Sequence, residues 1–77
     1  MEFEKIAEVI AEQMDIPKES ITAETTFAED LNADSLDVLQ IISELEKIFG
    51  MEFSNEDAEG IKTVGDAAEY VRKAVNP

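Results

Sequence analysis

Apolar residues near the start of the chain recur every three or four positions, which is the repeat of a helix with one buried face. Between residues 2 and 14 this face has five members: Phe3, Ile6, Val9, Ile10 and Met14. The acidic residues of this stretch lie largely outside the face, and Glu2 and Glu4 suit the positive end of the helix dipole. Pro17 closes the region, because the residue before a proline avoids helical backbone angles.

A second apolar repeat begins near Ser35 and predicts a longer helix. Its stripe has the spacing of one helix face: Val38, Ile41, Ile42, Leu45 and Phe49. Asp34 is a suitable N-cap, and Asp37 stands three positions later, where a carboxylate can reach back to the cap. Gly50 is expected to stop this helix in a left-handed conformation.

Residues 15 to 34 follow no single period and predict a long loop between the first two helices. Turn and cap formers are frequent in this loop. Four isolated apolar residues are expected to hold it against the core: Ile16, Ile21, Phe27 and Leu31. A loop of this length in a compact domain is usually functional.

The last part of the chain predicts one short and one longer helix. Residues 55 to 60 suggest a helical turn with Asn55 as its cap, and Thr63 is expected to cap the final helix. The inner face of that helix is apolar: Val64, Ala67, Ala68, Val71 and Val75. The prediction is an all-α fold, a small four-helix bundle with three main helices, one short helix and a long loop between helices 1 and 2.

Composition narrows the possible functions. Nineteen Asp and Glu against six Lys and Arg give a formal net charge of -13 in 77 residues. Such a chain repels nucleic acid and anionic membranes and attracts basic surfaces, so we expect neither nucleic-acid binding nor membrane insertion. No secretory signal is recognised, which favours a cytoplasmic protein. Residues 1–77 are expected to form a single domain, because a second core does not fit.

Catalysis and dedicated metal binding are not expected. Histidine and cysteine are both absent, so the usual general base and the best nucleophile are missing. Asp30, Asn32 and Asp34 have the first spacings of a calcium-binding EF-hand loop. However, Ser35 replaces the required Gly, and Ile41 replaces the bidentate Glu. Only weak divalent binding by clustered carboxylates is expected.

The outward side of the second helix carries two leucines outside the core stripe, Leu36 and Leu39. An apolar spot with an acidic rim is a reasonable docking surface for a partner protein. The rim is acidic throughout: Asp30, Asp34, Asp37 and Glu44. Ser35 lies at its edge, and a serine in this position commonly does no more than help to cap the helix.

The run from Asp30 to Asp37, Asp-Leu-Asn-Ala-Asp-Ser-Leu-Asp, resembles the signature of the acyl carrier proteins, commonly Asp-Leu-Gly-Ala-Asp-Ser-Leu-Asp. The similarity extends over nearly the whole chain, from the first helix to Tyr70 in the last. It implies that Ser35 accepts 4'-phosphopantetheine from coenzyme A in a transfer catalysed by a separate enzyme. The arm supplies the thiol that the polypeptide lacks, and acyl groups are carried on it as thioesters.

The resemblance also implies partners and a binding pocket. The expected partners are a phosphopantetheinyl transferase and fatty acid synthesis enzymes with basic docking patches, which would recognise the leucines and their acidic rim. The carrier is expected to be a monomer. In this family the acyl chain can fold back between the helices, and its expected lining here has seven members: Phe27, Val38, Ile42, Phe53, Ala58, Ile61 and Ala67.

Some positions depart from the family pattern. Asn32 stands where Gly is common, although Asn tolerates left-handed backbone angles. Gln40, Ser43 and Lys47 make the partner-facing ridge less acidic and less apolar than usual. The favoured interpretation is a carrier for fatty acid synthesis. Two alternatives stay open: a carrier for a specialised polyketide or lipid pathway, and an acidic, cation-responsive interaction module without a cofactor.

Overall fold

The computed structural model describes residues 2–75 and contains four α-helices. Their bounds are α1 Glu2–Met14, α2 Ser35–Phe49, α3 Asn55–Gly60 and α4 Val64–Val75, with a 3-10 turn at Lys18–Ser20. Residues 2–75 include no β-strand, and the all-α prediction is confirmed. The predicted domain also contains residues 1, 76 and 77, which lie outside the described residues.

Side-chain caps set where the later helices begin. Thr63 caps α4 as predicted, because its Oγ1 accepts the N–H of Asp66 at 3.1 Å. The predicted cap of α3 is wrong by one residue: Ser54, not Asn55, accepts the N–H of Asp57, at 3.1 Å. At the other end of α2, Gly50 has φ 63° and stops the helix in the left-handed conformation, as expected.

The core lies between α1, α2 and α4, and its largest fully buried side chains are Ile6, Ile10, Ile41, Leu45, Val64 and Val71. The long loop adds Ile21 and Phe27, which are only 5% and 4% exposed. Two of the four predicted loop anchors are therefore fully buried, and Ile16 and Leu31 are half-buried against the same core. Helix α3 contributes no buried residue.

The long loop pairs with the connection between α3 and α4. Phe27 N donates to Lys62 O at 3.1 Å, and Val64 N donates to Thr25 O at 2.9 Å. The contact continues where Gly65 N donates to Ala23 O at 2.9 Å. These bonds satisfy backbone groups that would otherwise lack partners away from helices. They also tie the loop before α2 to the start of α4.

The helices within residues 2–75 are too short or too polar to span a bilayer. In the same part of the chain, the structure shows no group of three or more side chains arranged to hold a metal ion.

Candidate functional site

Ser35 is the first residue of α2, and its side chain is exposed. Asp34, the residue before Ser35, caps the helix. Its Oδ1 accepts the N–H of Asp37 at 2.9 Å, and Asp37 Oδ2 accepts the N–H of Asp34 at 3.2 Å. This reciprocal capping box was predicted and is confirmed. The Ser35 hydroxyl forms no hydrogen bond within residues 2–75, so it is not consumed by the cap.

The turn that leads into Ser35 is well supported. Thr26 N donates to Asp30 Oδ2 at 2.9 Å, and Asp30 N donates to Thr26 Oγ1 at 3.0 Å. Ala33 N donates to Phe27 O at 2.8 Å. Asn32 has φ 53°, so the position that is commonly Gly takes the left-handed conformation that Asn tolerates. The serine is therefore presented on a turn whose backbone is fixed from both sides.

The predicted partner-recognition residues do not all lie together. Leu36 and Leu39 are 65% and 56% exposed, more than any other large apolar side chain within residues 2–75. Asp34 and Asp37 cap the same end of the helix. Glu44, in contrast, lines the groove between α1 and α2. The structure thus concentrates exposed apolar surface and acid at the first two turns of α2.

Two open clefts meet at Ser35. One, of about 420 Å³, lies between the long loop, α2 and the α3–α4 connection, and the predicted pocket residues Phe27, Val38 and Ile61 line it. The other, of about 380 Å³, lies between α2 and α3, and Val38, Ile42 and Ala58 line it. Val38 lines both clefts, as does Ser35 itself. A flexible group attached to Ser35 would have an apolar recess on either side.

Two predicted pocket residues lie elsewhere. Ala67 is 1% exposed and belongs to the core of α4. Phe53 stacks on Tyr70, with ring centroids 4.6 Å apart. Neither side chain lines the two clefts at Ser35. Glu59 lines both of them, yet the sequence offers no signal for it, because only the packing of α3 beside α2 brings it there.

A hydrogen bond from the Tyr70 hydroxyl to the Asp57 carboxylate connects α3 to α4. The Tyr70 hydroxyl, together with Ser54, holds the pKa of Asp57 below its ordinary value, and the same bond raises the pKa of Tyr70. Since α3 buries no side chain, this bond and the Phe53–Tyr70 stack are important to its position. The two residues are thirteen positions apart, and no local pattern predicts their contact.

These residues fit a phosphopantetheine group. An exposed hydroxyl without a hydrogen-bond partner in residues 2–75 stands at the start of a helix that a capping box closes. Apolar clefts adjoin it on both sides and can receive an extended arm or its cargo. The chain contains no histidine, so the site has no imidazole to act as a general base.

Comparisons with known proteins agree with this geometry. A family model described as a phosphopantetheine attachment site matches residues 4–71. The chain is 49% identical over 69 residues to the acyl carrier protein of Clostridium perfringens, which covers 90% of this chain and 91% of that relative.

Solved structures are similar over almost the full length. The acyl carrier protein of Enterococcus faecalis has a TM-score of 0.81 and 42% identity, covering 94% of this chain and 91% of that one. A protein from Mycobacterium tuberculosis assigned as an acyl carrier protein has a TM-score of 0.83 and 39% identity, covering 97% of each chain. The chain therefore belongs to the acyl carrier protein family, whose members are carriers rather than enzymes and hold their acyl groups on a 4'-phosphopantetheine arm.

Proposed function

We propose that Ser35 is the residue that receives 4'-phosphopantetheine from coenzyme A, and that residues 1–77 act as one carrier domain in fatty acid synthesis. The observation that carries this proposal is the division of roles at the start of α2. Asp34 caps the helix, and the Ser35 hydroxyl is left exposed without a partner in residues 2–75. A serine that served only as a cap would have this bond itself.

Each residue at this site has a distinct task. Ser35 supplies the oxygen that bonds to the phosphorus of the arm, while the pyrophosphate linkage of coenzyme A breaks and adenosine 3',5'-bisphosphate leaves. The transferase supplies the base that takes the serine proton and the metal. The Asp34–Asp37 capping box holds that oxygen at a fixed place on the first turn. When bound, the arm supplies a thiol, which a chain with no cysteine cannot provide. The protein itself positions the arm and shelters its cargo.

The cleft between α2 and α3 is proposed to shelter the acyl chain. Its walls include Val38, Ile42 and Ala58, and Ile42 is only 7% exposed while standing apart from the main core cluster. Phe27 and Ile61 belong to the neighbouring cleft. Phe53 and Ala67, the remaining residues of the predicted lining, would be reached only by a chain that parts the helices.

The exposed side of α2 is proposed as the docking surface for the transferase and the fatty acid synthesis enzymes. Leu36 and Leu39 would fill an apolar recess on the partner, and Asp30, Asp34 and Asp37 would face its basic side chains. Glu44, in the groove between α1 and α2, would contact only a partner that extends to that groove. The net charge of -13 opposes self-association, which supports a monomer. A cytoplasmic location belongs to the same proposal, because the carrier must share a compartment with coenzyme A and these enzymes.

Intact mass spectrometry tests the proposal. The purified chain is incubated with coenzyme A and a promiscuous phosphopantetheinyl transferase. We expect the mass to rise by one phosphopantetheine in the wild type and in Ser43→Ala, a control at another exposed serine of α2. No increase is expected in Ser35→Ala, whose helical circular dichroism should match the wild type. An unmodified wild type, or a modified Ser35→Ala, would overturn the proposal.

A further inference from the structure

Lys62 stands out in the charge distribution around Ser35. It lines the same cleft of about 420 Å³ as Ser35, and within residues 2–75 it is the only basic residue that lines either of the two clefts. The other charged residues lining that cleft are acidic: Glu29, Asp34 and Glu59. The charged residues of this cleft are therefore one cation and three acids.

The backbone of Lys62 is fixed on both sides. Lys62 O accepts the N–H of Phe27 at 3.1 Å, and Lys62 N donates to Asp66 Oδ2 at 3.1 Å. These two bonds fix the backbone of Lys62 beside the cleft, and its side chain stays flexible. The position of the ammonium group is thus limited to what the four-carbon stem can reach.

The ammonium group of Lys62 forms no ion pair with any residue in the range 2–75. The salt bridges within residues 2–75 join Glu69 to Arg72 and to Lys73, both on α4. The pKa of Asp66 lies below its ordinary value mainly because the backbone N–H groups of Lys62 and Thr63 donate to its carboxylate, and the charge of the Lys62 side chain is the last of the causes. The charge remains available for another anion.

We propose that Lys62 binds the phosphodiester of the arm on Ser35 and thereby docks the arm along the cleft lined by Phe27 and Ile61. This inference rests on the proposed attachment at Ser35. A phosphodiester there would carry a negative charge next to Asp34 and Asp37, which would push the arm toward solvent. Lysine binds phosphate as a point charge, and Lys62 lines the same cleft as Ser35. Lys62 is thus a positioning residue for the arm.

The test compares amide chemical shifts in apo and modified protein by NMR. In the wild type, attachment of the arm should shift the amides of Phe27 and Ile61, and high salt should reduce these shifts by screening the ion pair. Lys62→Met should lower the docked population about 1.5- to 5-fold, the range of an exposed ion pair, and the shifts should shrink in proportion. Lys62→Arg keeps the charge and should largely restore them.

Lys47→Met is the matched control, because it removes the same charge from the end of α2, about 18 Å along the helix from Ser35. Its apo-to-modified shifts should equal those of the wild type. If Lys62→Met also behaves like the wild type, or if Lys47→Met loses the shifts equally, the role of Lys62 is refuted. Intact mass is measured on every sample. An unmodified Ser35 would overturn the proposed attachment, whereas full modification with unaltered shifts would overturn only the role of Lys62.

Discussion

At the scale of single residues, the first turn of α2 shows how neighbouring polar side chains can serve different ends. Asp34 and Asp37 accept hydrogen bonds from each other's backbone N–H groups, whereas the side chains of Ser35 and Leu36 are exposed to solvent. This matters for experiments on docking. Substituting Asp37 by Lys would reverse a charge but would also break the capping box, so a change in binding could not be separated from a change in helix stability. Leu36 has no such second role.

Leu36→Ala is expected to slow modification by the transferase while leaving the fold intact. An apolar anchor that is buried on docking contributes more than about 1 kcal/mol, which corresponds to a fall in rate of about fivefold or more. Because Leu36 is 65% exposed in the free protein, thermal stability should change by no more than about 0.5 kcal/mol. Modification rates by mass spectrometry and melting by circular dichroism measure the two effects.

Ile48→Ala provides the control for this substitution, because Ile48 is 39% exposed and lines the groove between α1 and α2 instead. It should be modified at the wild-type rate. Equal rates for Leu36→Ala and the wild type would show that the docking surface lies elsewhere.

At the scale of elements, the start of α4 depends on a close approach between two backbones. A Cβ added at Gly65 would stand 2.7 Å from the carbonyl oxygen of Ala23, a backbone atom that the loop pairing holds in place. The glycine is therefore needed for space rather than for an unusual φ angle. At Gly60, in contrast, an added Cβ meets nothing within 4 Å.

Gly65→Ala is expected to destabilise the protein despite the better helix propensity of alanine. The forced shift of loop or helix should cost about 1–3 kcal/mol, and each kcal/mol lowers Tm by roughly 4–8 °C in a domain of this size. Gly60→Ala should be neutral or stabilising by up to about 1 kcal/mol. Thermal melting of both variants measures the difference. A Gly65→Ala protein as stable as Gly60→Ala would mean that the close approach is easily relieved.

Local signals predicted most of the elements. The apolar repeats, the Asp34–Asp37 pair and Gly50 were sufficient for the bounds of α1 and α2, because propensity, capping and burial agree there. The cap of α3 was misplaced by one residue, since Ser54 and Asn55 are both good caps and only the geometry decides between them. The left-handed Asp15 at the end of α1, with φ 57°, also escaped prediction.

Long-range contacts were beyond the reach of sequence periodicity. The Thr26–Thr63 bridge and the Tyr70–Asp57 hydrogen bond join segments whose spacing has no characteristic repeat. The same limit applies to the site. The exposed Ser35 and the two leucines followed from helix periodicity and the family signature, but the place of Lys62 at the cleft required the packed loop.

At the scale of the whole molecule, a fall in pH has two opposite effects on stability. It relieves the repulsion between negative charges, and it weakens the hydrogen bonds that specific carboxylates accept. The net charge is -13 at pH 7 and the isoelectric point is about 4.1, so acidification in this range relieves repulsion. The pKa of Asp66 lies below its ordinary value, because the backbone N–H groups of Lys62 and Thr63 donate to its carboxylate. Hydrogen bonds with Tyr70 and Ser54 likewise hold the pKa of Asp57 below its ordinary value.

Stability is therefore expected to rise as the pH falls from 7 toward the isoelectric point and then to decline. A carboxylate whose pKa is depressed on folding contributes stability above its unfolded value of about 3.9, and loses it as the pH falls through the folded value. Melting temperatures across this range measure both limbs. Asp66→Asn, whose amide oxygen can still accept the two N–H groups, should flatten the acid limb. A Tm that falls steadily from pH 7 downward would contradict the role of repulsion.

Added salt distinguishes the effect of charge repulsion on stability from the effect of the carboxylate hydrogen bonds. At pH 7, moderate sodium chloride or magnesium should raise Tm, since it screens the repulsion between exposed carboxylates. Near the isoelectric point the same addition should have little effect, because little net charge remains. A response to salt that is equal at both pH values would show that repulsion is not the term being screened.

Because the long loop pairs with the α3–α4 connection, the turn before Ser35 is harder to deform than α3. Backbone bonds anchor the turn before Ser35 to the base of α4, whereas α3 is six residues long and buries no side chain. If the cleft between α2 and α3 shelters the acyl chain as proposed, we expect α3 to move first when a longer chain needs more room. Under the proposed function, the orientation of Ser35 would then be independent of the length of the acyl chain, and one enzyme could bind the carrier through the same contacts at every stage of chain growth.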